Sequence, residues 1–413
     1  MTLVYEVQAE DITGLNDVQI TCLLKMLLHH ESRVAGIAQR AVEVALNIRV
    51  ADGGEDGRIQ WEGGPDQTDY LPCRFVQFQN KATEMGPTAC ANELIAHGQI
   101  KPRIDEALSG GAAYILFITQ KLNTEQKDER ITKIRDALRG HGKVYADIAD
   151  VRIYDAAVIQ GWVNQSVAAI TAVLNWIGRP LVTGLQTWDY WERYEENHIF
   201  EFVADDHRSN GIEQIREQLG YPRKSARIIG LSGLGKTRLA LEACRGASEL
   251  DGFRDGVIYI DARMAGTELP GVVSEWVKQK LKGTLVVDNC ELRLHQLLNR
   301  EIKHPDSEIS LLTMHFNPER DDDTAPLSLF RMEDRLIKTM LEPVYGDRIP
   351  DLDRVVAFSQ GFPQMAVLLA KARLDQAPDM GSLNDDFLIQ KMLWGGGEKD
   401  DDDEKILRAC ALF

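Results

Sequence analysis

Residues 227–244 read RIIGLSGLGKTRLALEAC, and the pattern of this stretch organises the second half of the chain. Residues 227–229 are predicted to form a strand that runs into a glycine-rich loop, and the residues after Lys236 are predicted to form a helix. Residues 230–237 match the spacing G-x-x-x-x-G-K-[ST] at every fixed position. A strand, a loop of this spelling and a helix, in that order, predict a phosphate-binding loop.

The loop residues have separate predicted roles toward ATP. Gly230, Gly233 and Gly235 allow backbone N–H groups to curl around the β-phosphate. Lys236 adds positive charge beside the β- and γ-phosphate oxygens, and the Thr237 hydroxyl is suited to bind Mg²⁺. A chance glycine-rich turn before a helix is the plain alternative.

A second motif supports nucleotide binding. Residues 284–290 read TLVVDNC, an apolar strand that ends in Asp288. A carboxylate at this position can hold magnesium through water, as a Walker B aspartate does. The next residue is Asn289, where many fast ATPases carry a glutamate, although Glu291 could substitute. The sequence therefore predicts slow hydrolysis and a switch more than a motor.

Strands and helices are predicted to alternate through this half of the chain. This alternation is typical of a parallel α/β sheet. The predicted strands are 226–230, 256–261, 283–288 and 308–314, and the predicted helices begin at Lys236 and span 270–282.

Four segments together resemble the nucleotide-binding core of STAND NTPases, and of the bacterial antiviral members in particular. They are GLSGLGKTRLALE, LVVDNC, ISLLTMHF (309–316) and SQGFPQMAVLLA (359–370). The resemblance covers residues 205–413 and implies an ATPase that holds ADP when silent and oligomerises on activation. It also implies that Thr313 is a strand-end sensor and that Pro363, in a G-x-P turn, packs on adenine. A simple helix-capping turn is the alternative for that turn.

The first half is predicted to be a second α/β unit. Amphipathic helices are predicted over 15–30 and 32–48 and a charged helix over 125–139, with strands over 74–81, 112–119 and 144–148. The segment DGGEDGRI supplies Asp56, and the strand RFVQFQNK carries Gln79 and Lys81 on one face.

An acid followed by a Q-x-K pair on the next strand resembles the Mrr-like branch of the PD-(D/E)xK nucleases, a restriction-endonuclease-like fold. The resemblance implies that Asp56 and the Gln79 amide oxygen bind Mg²⁺ and that Lys81 polarises the attacking water. Glu31 and Glu43 are both candidates for a helical glutamate that completes the site. The alternative is an ordinary hairpin over residues 50–81.

Composition limits the kinds of partner. The net charge of −17 argues against a generally basic surface that coats nucleic acid. No apolar run reaches the length of about 18 residues that spans a bilayer, and the first residues lack a signal-peptide pattern. We therefore expect a cytoplasmic protein without membrane contact. The six scattered cysteines favour buried free thiols over a zinc site or disulfides.

The predicted organisation has four parts. These are a nuclease-like effector (1–178), a connector (179–205), a P-loop core (206–320) and a helical domain that leads into an unfinished winged-helix region (321–413). Because residues 406–413 read ILRACALF without a polar ending, we expect a longer natural chain that carries a sensor.

The predicted activity joins these parts. The resemblances imply an antiphage endonuclease that cuts double-stranded DNA when ATP and a viral protein trigger drive the chain into a homo-oligomer. A second hypothesis is a signalling or transcription-regulating scaffold whose N-terminal domain mediates assembly and does not cleave.

Overall fold

The computed structural model describes residues 6–45, 56–194, 199–246, 253–265, 267–316 and 324–375. The N-terminal elements are α1 (Ala9–Thr13), α2 (Asp17–Val34), β1 (Val42–Val44), β2 (Gly57–Gln60), β3 (Phe75–Lys81), α3 (Pro87–Asn92), β4 (Ile95–Ala96), β5 (Gln99–Ile100), α4 (Pro102–Ser109), β6 (Ala113–Ile118), α5 (Thr124–Gly140), β7 (Asp150–Tyr154), α6 (Ala156–Val163) and α7 (Val167–Trp176). The elements that follow are β8 (Gln186–Thr187), α8 (Trp188–Tyr194), α9 (Asp206–Leu219), β9 (Ser225–Ile229), α10 (Lys236–Arg245), β10 (Val257–Asp261), α11 (Ala262–Ala265), α12 (Leu269–Lys278), β11 (Lys282–Asp288), α13 (Leu292–Ile302), β12 (Glu308–His315), β13 (Pro326–Ser328), α14 (Asp334–Tyr345), α15 (Leu352–Ser359) and α16 (Pro363–Asp375). Short 3-10 helices lie at Gln39–Ala41 and Phe253–Gly256.

The first sheet has five strands in the order β1-β2-β3-β6-β7. The pairs β1–β2 and β2–β3 are antiparallel, and the pairs β3–β6 and β6–β7 are parallel. Because side chains alternate along a strand, Val76 and Phe78 of β3 pack with the leucines of α2, while Gln77, Gln79 and Lys81 face the other side of the sheet. Helices α3, α4 and α5 cover that other side.

The second sheet has six strands in the order β13-β9-β12-β11-β10-β8, and only β8 is antiparallel to its neighbour. Residues 284–288 of β11 and 309–315 of β12 are buried. Such continuous apolar runs are expected of parallel strands that are covered on both faces. Numbered along the chain from β9, the parallel strands lie in the spatial order 5-1-4-3-2, and the predicted parallel α/β sheet is confirmed.

One hydrophobic core joins the two sheets. It contains Phe78 and Phe117 of the first sheet and Leu285 and Val287 of the second. Helix α7 contacts α2 as well as β10 and β11, and its residues 167–174 are all buried. The two α/β units are therefore packed directly on one another.

Residues 179–205, predicted as a connector, include β8 and α8. These two elements pack on the second sheet, where Trp188 and Trp191 are buried. The Trp191 ring stacks on the Tyr259 ring of β10 with the centroids 4.3 Å apart. This segment thus contributes to the core of the second unit.

The helices α14, α15 and α16 form a third, smaller core. Ile337, Leu341, Val355 and Ala370 are among its buried residues, and Phe200 from the segment before α9 packs with them. The described part of residues 321–413 is therefore helical after β13, and residues 376–413, including the predicted unfinished region, lie outside the described residues.

Two local sequence predictions are wrong. The helix predicted over 32–48 is absent, because α2 ends at Val34, Gly36 adopts a left-handed φ of 68°, and Val42 pairs with Ile59 in the sheet. The strand predicted over 144–148 is a turn in which Val144 and Ile148 are 98% and 85% exposed. The strand beside β6 begins at Asp150 instead.

Two compositional expectations can be compared with the structure. Among the described residues, no helix is both long and apolar enough to cross a membrane. The cysteines in the described segments, Cys22, Cys73, Cys90, Cys244 and Cys290, are free thiols.

Candidate functional site

A cavity of about 620 Å³ opens at the carboxyl ends of the parallel strands of the second sheet. Ligands of open α/β sheets bind at this edge, where the loops after the strands converge. The lining includes Lys236, Thr237, Asp261, Asp288, Asn289 and Pro363. The sequence-predicted loop, acidic and G-x-P residues therefore meet in one place.

The glycine-rich loop has the backbone that its sequence demands. Gly233 and Gly235 have φ values of 81° and 88°, in the left-handed region that disfavours side chains. A Cβ atom on Gly230 would lie 3.0 Å from the Leu329 carbonyl oxygen. The loop then enters α10 at Lys236, so its backbone N–H groups lie at a helix N-terminus, which attracts anions.

The Lys236 side chain is folded back onto its own loop. Its Nζ donates to the carbonyl oxygens of Gly230 (2.7 Å) and Leu231 (2.9 Å). Burial lowers the pKa of Lys236, and the nearby Asp288 carboxylate opposes that shift. An ammonium group that donates to neutral carbonyls can exchange them for phosphate oxygens, which are stronger acceptors.

Thr237 and Asp288, the two residues predicted to bind Mg²⁺, are in direct contact. Thr237 Oγ1 donates to Asp288 Oδ2 (2.7 Å), and the Tyr259 hydroxyl lies 3.4 Å from the same oxygen. A hydroxyl and a carboxylate are hard oxygen ligands of the type that Mg²⁺ prefers. The donors at this position therefore fit Mg²⁺.

The resemblance to STAND NTPases implies that Thr313 and Pro363 act at the nucleotide, and the structure places these two residues differently. Thr313 is fully buried, and its hydroxyl is held by Arg227 Nη1 (3.1 Å) and His295 Nδ1 (2.9 Å) outside the cavity lining. Pro363 lines the cavity, and the next residue contacts the P-loop, because the Gln364 N–H donates to the Gly233 carbonyl (3.2 Å). The helical bundle thus touches the phosphate-binding loop directly.

The first sheet brings a second set of predicted residues together. Asp56 precedes β2, and its Oδ2 accepts from Gln79 Nε2 (2.6 Å) and from the Asn80 backbone N–H (2.8 Å). The amide nitrogen of Gln79, and not its oxygen, faces the carboxylate. Gln79 Oε1 is buried without a hydrogen-bond partner. Rotation of the amide group would place that oxygen beside Asp56, as metal binding requires.

Lys81 has a carboxylate partner that the sequence did not indicate. Its Nζ lies 3.3 Å from Glu93 Oε2, and Lys101 Nζ lies 4.0 Å from the same oxygen. Glu93 follows α3, twelve residues after Lys81 in the chain. No motif marks it, because only the return of α3 over the sheet places it beside the Q-x-K strand.

The two candidate helical glutamates have other contacts. Glu31, in α2, accepts from Trp162 Nε1 (3.2 Å), and burial raises its pKa. Glu43 is not helical but lies in β1, 2.7 Å from Arg58 Nη2. Neither of these contacts involves Asp56, Gln79 or Lys81. Within the described segments, no group of three or more His, Cys, Asp or Glu side chains has the geometry of a metal site.

The order 5-1-4-3-2 and the geometry of the loop at residues 230–237 decide the fold of the second half. This half resembles the P-loop NTPase fold. Its strand-end aspartate, Asp288, accepts a hydrogen bond from Thr237, and a helical bundle adjoins the loop.

Comparisons with known proteins add little to this assignment. No family model and no curated protein matches the sequence. Among solved structures, a STAND protein with a tetratricopeptide repeat sensor from Pyrococcus horikoshii is 14% identical, with a TM-score of 0.30, over 51% of this chain and 35% of that one. The ADP complex of S. cerevisiae Hsp104 is 15% identical, with a TM-score of 0.32, over 46% of this chain and 32% of that one.

NtrX from Brucella abortus in complex with ADP is 12% identical, with a TM-score of 0.32, over 72% of this chain and 74% of that one. The chain spans about a third of the length of the Hsp104 and Pyrococcus chains. The fold of the second half is therefore assigned from its strand order and loop geometry, and not from these structures.

Proposed function

We propose that the chain is an ATP-dependent switch that binds ATP and Mg²⁺ in the cavity at residues 230–237. The observation that carries this proposal is the Thr237–Asp288 hydrogen bond beside the Lys236 ammonium. Magnesium would neutralise phosphate charge between these two side chains. Asn289 in place of a catalytic glutamate supports slow turnover.

We further propose that the N-terminal domain is a metal-dependent endonuclease that acts on double-stranded DNA. The order α2-β1-β2-β3, then α3 and α4, then β6-α5-β7, is compatible with a restriction-endonuclease-like fold. The contact between Asp56 and Gln79, with Lys81 two residues further on the same face, supports the site. Asp56 and Gln79 would hold Mg²⁺, which activates water and stabilises charge on the phosphate.

The biological setting follows from the resemblance to antiviral STAND NTPases. In this proposal the protein works in the cytoplasm as part of an antiphage defence system. A viral protein acts as the trigger, and ATP-driven assembly into a homo-oligomer activates the nuclease.

A scaffold without nuclease activity is the second candidate. It is favoured by the identity of residue 79, because a neutral amide replaces the second acid and leaves Asp56 with less negative charge for a cation. The Glu93 carboxylate also pairs with the Lys81 ammonium group, which would otherwise stabilise negative charge on the phosphate. A domain of this kind would mediate assembly only.

Cleavage of plasmid DNA separates the two candidates. We expect the chain activated by its trigger, with ATP and Mg²⁺ or Mn²⁺, to nick supercoiled plasmid. Asp56→Ala and Lys81→Ala should each lower the nicking rate at least about hundredfold, because each removes a group that acts in the transition state. The exposed Asp66→Ala and Lys133→Ala variants are matched controls and should cut like wild type.

The nucleotide affinity of all four variants should equal that of the wild type. Complete absence of cleavage by activated wild-type protein would favour the scaffold. Equal cleavage by wild type and Asp56→Ala would rule out Asp56 as a metal ligand.

A further inference from the structure

Arg263 lies in the nucleotide cavity, although no motif marks it. It belongs to α11, the short helix after β10, and it lines the cavity together with Lys236, Thr237 and Asp288. Its side chain is 73% exposed. An exposed arginine in the same cavity as a phosphate-binding loop is suited to contact phosphate.

Asp261 is the partner that holds Arg263. Arg263 Nη2 donates to Asp261 Oδ2 (2.5 Å), and Nε lies 3.1 Å and 3.0 Å from the two carboxylate oxygens. Asn289 Nδ2 also donates to Asp261 Oδ2 (3.1 Å). Burial raises the pKa of Asp261, but the hydrogen bonds from Arg263 and Asn289 more than compensate, so the pKa lies below its usual value.

The Arg263–Asp261 pair is connected to Asp288, the proposed magnesium ligand. Asp261 and Asp288 are directly opposite one another on the neighbouring strands β10 and β11. Asn289 has a left-handed φ of 50°, and its backbone N–H donates to Asp288 Oδ1 (2.7 Å). This turn brings the Asn289 side chain onto Asp261.

The direction of the phosphate chain indicates which phosphate Arg263 can reach. The P-loop follows β9 and would hold the β-phosphate, and Thr237 and Asp288 would hold the Mg²⁺ that neutralises charge on the β- and γ-phosphates. From Asp288, β10 is the next strand away from β9. The loop after β10, which bears Arg263, is therefore on the γ-phosphate side of the cavity.

We infer that Arg263 recognises the γ-phosphate of ATP and that Asp261 competes with this phosphate for it. In the nucleotide-free arrangement the Arg263 guanidinium is bound to Asp261. When ATP is bound, the guanidinium exchanges the carboxylate for γ-phosphate oxygens, which accept two parallel N–H bonds equally well. ADP offers no such oxygens, so Arg263 makes the cavity selective for ATP. This inference rests on the proposed nucleotide site.

Titration calorimetry with ATP and with ADP, both with Mg²⁺, tests the inference. We expect Arg263→Ala to weaken ATP binding by about tenfold to hundredfold, the typical effect of one lost charged hydrogen-bonding group. ADP affinity should not change. Arg263→Lys keeps the charge without the forked geometry and should give an intermediate loss of ATP affinity.

Arg335 provides a matched control. It is 77% exposed and pairs with Glu333 two residues earlier (2.7 Å), just as Arg263 pairs with Asp261, but it lies outside the cavity lining. Arg335→Ala should leave both affinities unchanged. The competition adds a second expectation, because Asp261→Asn should tighten ATP binding in the wild-type background and have no effect in the Arg263→Ala background.

The possible results have distinct meanings. Equal loss of ATP and ADP affinity in Arg263→Ala, or no loss of either, would overturn the assignment of Arg263 to the γ-phosphate. Weaker ATP binding in Asp261→Asn would overturn the competition. If the wild type binds neither nucleotide in a manner that depends on Lys236, the proposed nucleotide site itself fails, and the role of Arg263 fails with it.

Discussion

At the scale of single residues, Lys236 supplies the positive charge of the proposed nucleotide site. Its ammonium group donates to two loop carbonyls, at 2.7 Å and 2.9 Å, and charged phosphate oxygens are much stronger acceptors. We expect Lys236→Ala to weaken ATP binding by at least about hundredfold, because phosphate charge is then left without its lysine partner. Lys278→Ala is the control, since Lys278 is exposed on α12 and pairs with Glu275.

Calorimetry measures both variants, and unchanged ATP affinity in Lys236→Ala would refute the phosphate-binding role of the loop. Asp288→Ala should behave differently. It should keep ATP affinity within roughly an order of magnitude and lose magnesium-dependent turnover, because its carboxylate serves the metal side of the site.

The residues of the candidate sites differ in how readily they can be predicted from the sequence. The P-loop residues could be predicted because the motif that they form is contiguous in the sequence. Arg263 and Glu93 could not, because α11 and α3 place them beside Asp288 and Lys81 only in the folded chain. The resemblance to STAND NTPases implies Thr313 as a strand-end sensor, but its hydroxyl is directed to Arg227 and His295.

At the scale of elements, α2 connects the first sheet to the P-loop unit. Near its first turn, Thr21 Oγ1 accepts from Asn80 Nδ2 (2.5 Å) at the end of β3. Near its last turn, His29 contacts Asp255 in the 3-10 helix that precedes β10, and the Arg33 guanidinium lies 5.3 Å from the centre of the Phe253 ring. The helix thus touches the strand with Gln79 and Lys81 at one end and the nucleotide-binding sheet at the other.

The His29–Asp255 contact is predicted to stabilise this arrangement. Burial raises the pKa of Asp255, but the bond from His29 and nearby positive charges lower it below its usual value, so the carboxylate is ionised at neutral pH. We expect His29→Ala to lower the free energy of unfolding by about 3–5 kcal/mol, because it leaves a buried charge without its donor.

Urea denaturation measures this effect, and His304→Ala is its control. His304 lies 3.8 Å from Asp306 at the surface, where such a pair contributes about 1 kcal/mol or less. Because the Asp255 pKa is depressed on folding, the stability contributed by this pair should be present above about pH 4 and be lost as the pH falls further. Equal stability of the two variants would contradict the predicted role of the buried pair.

Element prediction succeeded where the chain pattern was unambiguous. Strands β9, β11 and β12 each contain a buried, mostly apolar segment, and α5 has a capping residue, Asn123, at its start. The helix prediction for residues 32–48 is wrong because their apolar spacing fits a helix, whereas the pairing of β1 with β2 determines the structure of residues 42–44. Tertiary pairing of this kind is invisible to local periodicity.

At the scale of the whole molecule, the shared core restricts how a nucleotide could control the proposed nuclease. Phe78 and Leu285 belong to one cluster that runs from the first sheet through α7 to the second. A domain packed in this way is not free to swing on a flexible linker. Control through the pairing of whole chains is therefore the simpler mechanism, and it agrees with the proposed homo-oligomer.

Pairing also fits the chemistry of the proposed reaction. One nuclease site reaches one scissile phosphate at a time, so two sites brought together can cut both strands of a duplex. Asn289, beside Asp288, favours a long-lived ATP state, which would keep an assembled form together long enough to act. A nuclease in the cytoplasm must in addition be inactive until triggered, since its own host's DNA is a substrate.

We therefore expect ATP together with a viral trigger to convert monomers into an oligomer and to start double-strand cleavage. Light scattering measures assembly, and conversion of supercoiled plasmid to linear DNA measures cleavage. Lys236→Ala should abolish both readouts, whereas Asp56→Ala should assemble normally and not cut, because the two changes act on separate sites. Robust cleavage by a monomer without ATP or trigger would show that the nucleotide site does not gate the nuclease. Assembly of Lys236→Ala to the wild-type extent would show that ATP binding does not drive association.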